Sequence, residues 1–141
     1  MPRAELENLV RSGALQREPP SRSEIEGLLR SAAARLRDAA RADNSDDSRF
    51  DLAYNAAHAL ALAALRWHGY RPLSRYVVFH ALVHTLGMSS ATSRVLSKCH
   101  DRRNRIEYGG DPRIDETLLA DLLRAAEELV VRLRELVSSN P

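Results

Sequence analysis

From about Asp47 to His68 the chain is apolar on nearly every side of a helix: Phe50, Leu52, Ala53, Tyr54, Ala56, Ala57, Leu60, Leu62, Leu65 and Trp67 leave no continuous polar face. A helix of that kind has to be enclosed by neighbours. Its many alanines let other backbones come close. Gly69 supplies a C-terminal cap and Pro72 a stop.

Candidates for the enclosing helices are legible on both sides. Ser21 with Glu24, and Ser23 with Glu26, are overlapping capping-box signatures. Ile25, Leu28, Leu29, Ala32, Leu36 and Ala39 then recur at helical spacing, which predicts a helix to about Arg41 and a polar loop over Ala42–Ser48. A shorter helix is expected from Ser74 to Leu86, ended by Gly87. Another is expected from Ser89-Ser90 to Tyr108, before Gly109-Gly110. The last begins near Asp115-Glu116, acids suited to a helix N-terminus, and runs to about Ser138. Glu5–Ser12 reads as a short helix stopped by Gly13, and Pro19-Pro20 separates it from the rest. No strand pattern is legible; Tyr76–Phe79 is the nearest, and its surroundings favour helix. The expectation is an all-α, up-and-down antiparallel bundle over residues 21–141, with residues 1–20 as an N-terminal extension carrying a short helix.

Composition agrees. Aromatics are only 5%, and alanine and leucine carry the apolar content, which favours helix over strand. Lys+Arg is 21 against 19 for Asp+Glu, a formal +2, too small to argue nucleic-acid binding from net charge. Lys98 is the one lysine among these basic residues. Arginine suits bidentate phosphate contacts, although a GC-rich genome is the plainer source of the bias. One cysteine, Cys99, excludes an internal disulfide and any multi-cysteine zinc site. No apolar targeting core opens the chain, and Ala59–Leu65 is too short to span a bilayer, so no membrane role and a cytoplasmic location are expected.

The segment Cys99-His100-Asp101-Arg102-Arg103-Asn104-Arg105-Ile106-Glu107-Tyr108-Gly109-Gly110 resembles the signature of the HEPN family (higher eukaryotes and prokaryotes nucleotide-binding). In that family an Arg, usually followed by Asn, precedes a His by four to six residues near the end of a late helix. Arg103-Asn104 matches the opening; Tyr108 stands where a catalytic member has His. The alanine-rich stretch from Arg49 to Ala61, leading to Gly69-Tyr70, is similar to the family's central helix. The resemblance implies a homodimer in which two such motifs meet across the interface. It also implies metal-independent RNA cleavage in active members, often as toxins of toxin–antitoxin or defence systems. Some of these work beside a nucleotidyltransferase-type antitoxin, and a tyrosine such as Tyr108 is then a candidate for modification.

On their own terms, His100, Asn104 and Tyr108 form an i, i+4, i+8 row, with Arg103 and Glu107 between it and the core stripe of Val95, Leu96, Cys99 and Ile106. Arginine holds phosphate, and imidazole moves protons near neutral pH. Tyrosine is a poor base at pH 7 but a good donor and stacking partner. The candidate catalytic set is therefore Arg103, Asn104, Tyr108 and His100, with Arg102, Arg103, Arg105 and Tyr108 for nucleic-acid binding. Asp51, Asn55 and His58 form a second polar row on the central helix and, with Glu107, are candidates to support one pocket. The plainer alternatives are a solvated Arg103–Glu107 pair worth a few tenths of a kcal/mol and, for Asn55 and His58, a satisfied structural network.

His80 and His84 have the spacing of a two-ligand metal site, but no acid joins them on that helix, and no metal or other cofactor is assigned. Trp67, Tyr70, Tyr76 and Phe79 suit core or dimer packing, or base stacking. Cys99 reads as a buried, inert thiol. Two functions stay open: a HEPN-like dimer that binds RNA or nucleotide and acts as a weak or degenerate ribonuclease, and a non-catalytic dimerisation or protein-interaction module. In the first, the Arg103-Asn104 pair is expected to point outward into a cleft shared by two copies; in the second, the Arg flank is structural.

Overall fold

A computed structural model describes residues 2–109 and 115–139, with the backbone alone at positions 2, 76 and 105–109. The elements in order are α1 (Pro2–Arg11), β1 (Leu15–Arg17), α2 (Arg22–Ala39), α3 (Asp46–Trp67), β2 (Tyr70–Pro72), α4 (Tyr76–His80), α5 (Leu82–Thr85), α6 (Ser90–Gly109) and α7 (Glu116–Ser139). The fold is all-α apart from one small strand pair. Among the described residues, no helix is long and apolar enough to cross a membrane.

The helix starts are set by side-chain caps. Ser21, Ser45 and Ser89 each accept from the backbone N–H three residues on, at 3.3, 3.1 and 3.2 Å. Asp115 accepts from Thr117 N at 2.8 Å and opens α7. At Gly69 the backbone takes φ +89°, which an L side chain resists, and this turns the chain out of α3.

The long helices run up and down. Arg49 at the start of α3 donates to the carbonyl of Ala39 at the end of α2, while Arg66 at the end of α3 reaches Glu24 at the start of α2. Going from Tyr54 to Asp51 along α3, the partners on α6 go from His100 to Arg103, so these two are also antiparallel. Along the α6–α7 groove the contacts run the same way, with Arg132 of α7 beside Leu86 and Gly87, just before α6 begins. As its composition requires, α3 is enclosed: nine of its alanines and leucines, from Ala53 to Leu65, are buried in or beside the main core with Phe50 and Tyr54.

Three sequence expectations are corrected. A strand pair exists: β1 and β2 are antiparallel, with Leu15, Gln16 and Arg17 opposite Pro72, Arg71 and Tyr70. Strands of three residues carry no alternating pattern to read. The single helix expected over Ser74–Leu86 is two, broken at Ala81. The segment serves two cores, Val77 and Ala81 packing with Leu6, Leu15, Leu65 and Tyr70, and Val78, Phe79 and Leu82 with the main bundle. The capping box at Ser21 is half made: Glu24 sends its carboxylate to Arg66 and Arg71 instead of back to Ser21. Residues 2–18 are docked through that second core and through Glu7, which accepts from Tyr70 Oη at 2.6 Å and pairs with Arg17.

Candidate functional site

One side of α3 carries Asp51, Tyr54, His58 and Leu62 at i, i+3, i+7 and i+11, a single stripe. The middle of α6 lies across it. Arg103 Nε is 3.6 Å from Asp51 Oδ1, and its guanidinium sits over the Tyr54 ring at 5.0 Å from the centroid. Tyr54 Oη and His100 Nδ1 are 2.8 Å apart, and the two rings stack at 6.3 Å. Asn104 Nδ2 approaches His100 Nε2 at 3.4 Å, a weak contact. Phe79 packs edge-on against both Tyr54 and His58, at 5.8 and 5.9 Å, and fixes their planes.

The floor of this site is neutral and its rim is positive. Tyr54 is 1% exposed, and burial raises its pKa above the usual phenol value, against the opposing charges of Arg103 and Arg75. His58 is held down to about 4, first by burial and then by the positive charges of Arg75, His100 and Arg103. It is therefore uncharged at pH 7, and its buried Nε2 has no hydrogen-bond partner. Arg103 keeps 23% of its side chain exposed and Asp51 62%. At 3.6 Å, with the carboxylate largely in solvent, this pair is worth little.

The chemistry on offer follows from His100. Tyr54 Oη meets one ring nitrogen of His100 and Asn104 Nδ2 approaches the other, so the imidazole is held on both sides. Tyr54 thus fixes the position of the ring. Arg103, one turn along, is placed to meet a phosphate.

Of the predicted site residues, Arg103, Asn104, His100, Asp51 and His58 come together. Asn55 is half-buried on α3 and makes none of these contacts. Arg102 is half-buried on α6. The side chains of Arg105, Glu107, Tyr108 and Ile106, and residue Gly110, lie outside the described residues. Arg103 does not project straight out as expected; it lies back over Tyr54 toward Asp51, because the ring face and the carboxylate both attract it. Cys99 is buried, its thiol pushed up to about 12 chiefly by burial, which makes it inert as a nucleophile. Tyr70 and Phe79 are buried, so neither is available to stack on a base; Trp67 packs against the core.

Sequence reading missed three residues. Tyr54 was counted as core, although its place in the Asp51–His58 stripe marks it. Arg66 is 1% exposed and donates to Glu24 at 2.8 Å and to the carbonyls of Glu18, Pro19 and Tyr70 at 3.0, 2.6 and 3.3 Å. Arg71 joins it on Glu18 and Glu24. Their partners are far away in sequence, and no local signal exists for them. No family model, curated protein or solved structure matches this chain.

Proposed function

We propose that the chain is a HEPN-like domain that pairs with a second copy and binds RNA through Arg103. In this reading it is a degenerate, metal-independent ribonuclease of the toxin–antitoxin or defence kind. The observation that carries the reading is the Arg103 guanidinium over the Tyr54 ring, with an imidazole, His100, held by that residue's buried hydroxyl. Arginine there meets a phosphodiester and stabilises the charge that grows on it. His100 takes the proton from the ribose 2′-hydroxyl, whose oxygen attacks phosphorus to close a 2′,3′-cyclic phosphate, while the expelled 5′-oxygen takes a proton from water. His100, not Tyr108, is the base in this scheme.

The test combines size, binding and cleavage. Light scattering should give twice the 15.8 kDa chain mass. A labelled single-stranded RNA should bind, and Arg103→Ala should weaken that binding. Any cleavage should persist in EDTA and be lost in His100→Ala. If Arg103→Ala leaves both binding and cleavage unchanged, the reading fails.

A second reading, a non-catalytic dimerisation module, draws on the internal engagement of Arg103 by Asp51 and Tyr54. It expects a protein partner and no RNA in pull-downs, and no gain of cleavage in Tyr108→His. A nucleotidyltransferase partner acting on Tyr108 would leave added nucleotide mass on the co-expressed protein.

A further inference from the structure

Beyond His58 the α3 stripe opens into a cavity of about 310 Å³, walled by Leu62, Pro72, Leu73 and Val78, with the His58 ring on one side and Arg75 at its edge. That volume is at the small end of ligand pockets, roughly 300–1,000 Å³. Two arginines line it, and they differ. Arg71 is committed to Glu18 and Glu24, at 2.7 and 2.8 Å. Arg75 is exposed, and among the described residues no carboxylate pairs with it. Its charge reaches the same two rings as Arg103, Tyr54 and His58. Leu73, on the cavity wall, is 55% exposed, one of few large apolar side chains left open to water.

We infer that this cavity and Arg75 form the second half of the nucleic-acid site: Arg103 holds one phosphate, Arg75 the next, and the cavity takes the unpaired base between them. The inference rests on the RNA-binding reading above and names its substrate class, single-stranded RNA. Three features favour a base over other occupants. The walls are apolar with a flat ring among them, which suits a heteroaromatic face. That ring is neutral at pH 7, and the Arg71 charge on the lining is already taken up by Glu18 and Glu24. Arg75, on the lining, is exposed to solvent, where a backbone can reach it. A base already paired in a duplex would not enter.

The experiment uses the intact chain and two labelled hexaribonucleotides, one normal and one abasic at its central positions, titrated over a range of salt. Arg75 and Leu73 are both exposed, so Arg75→Ala and Leu73→Asp should leave the fold intact. Wild type should bind the normal strand about tenfold more tightly than the abasic one. Arg75→Ala should reduce the salt slope by about 0.7, the value of one phosphate contact on a single strand. Leu73→Asp should erase the preference for the normal strand. Arg103→Ala should weaken both strands alike. If Arg103→Ala weakens binding but Arg75→Ala and Leu73→Asp do not, or if an RNA hairpin stem binds as well as the single strand, this inference is overturned and the RNA-binding reading stands. If Arg103→Ala also has no effect, both fall.

Discussion

Tyr54 lies at the meeting point of a hydroxyl contact to His100, a guanidinium on its face from Arg103 and an aromatic edge from Phe79. Replacing it with Phe keeps the packing and removes the oxygen. The expected loss is about 1 kcal/mol in chemical denaturation, the usual net worth of one hydrogen bond. The more telling readout is the His100 ring signal in NMR: it should move in the variant as the ring loses its partner, whereas a purely packing role for Tyr54 would leave it unmoved. Arg66 is the stability counterpart. Arg66→Ala strips a buried cation from Glu24 and three carbonyls. It should cost about 3–5 kcal/mol, measured by urea unfolding; a loss below about 1 kcal/mol would mean the network is only decorative. At this scale the sequence was readable as polar rows along single helices, Asp51 and His58 on α3 and His100 with Asn104 on α6. It was opaque between elements, as with Arg103 on Asp51 and with Arg66 on Glu18 and Glu24, partners more than forty residues away.

At the scale of elements, the N-terminal segment is attached by carboxylates. Glu7 is held at about 2 by hydrogen bonds from Arg17 and Tyr70, and Glu18 and Glu24 are lowered chiefly by Arg71. A carboxylate whose folded pKa is depressed contributes stability that is complete above its unfolded value, near 4.3, and is lost as pH falls toward the folded one. His58 loses stability in the same direction but earlier. Neutral in the fold, it contributes fully above about 6.5 and loses that contribution as pH falls toward about 4, because the unfolded chain takes up the proton first. The thermal midpoint should therefore decline in two stages. The first, between about pH 6.5 and 4, should flatten in His58→Phe; the second, below about 4.3, should remain. A single decline starting only below pH 4.3 would contradict the buried state of His58 beside Arg75, His100 and Arg103. The helix starts at Ser21 and Ser89 were legible because capping is local. The β1–β2 pair was not, because three-residue strands are fixed by what Leu15 and Tyr70 pack against and not by their own pattern.

For the whole molecule, the enclosed α3 dictated the architecture, and the bundle followed from its composition. With a formal charge of +2, no long-range field brings RNA to this protein. In the proposed reading, recognition comes from where a few arginines stand: Arg75, just before α4, and Arg103 on α6 both act on the Tyr54 and His58 rings of α3. The motif segment around Arg103 was visible in sequence; the cavity beside Arg75 was not, since it exists only where β2 and α4 fold back over Leu62.

The most direct measurement follows the arginine Nε–Hε signals by NMR while a short single-stranded RNA is added. The Arg103 signal should shift and saturate with the binding curve, while Arg124, exposed and paired with Asp121 on α7, should stay in place. RNA that binds without moving Arg103, or that fails to bind at all, would contradict the account.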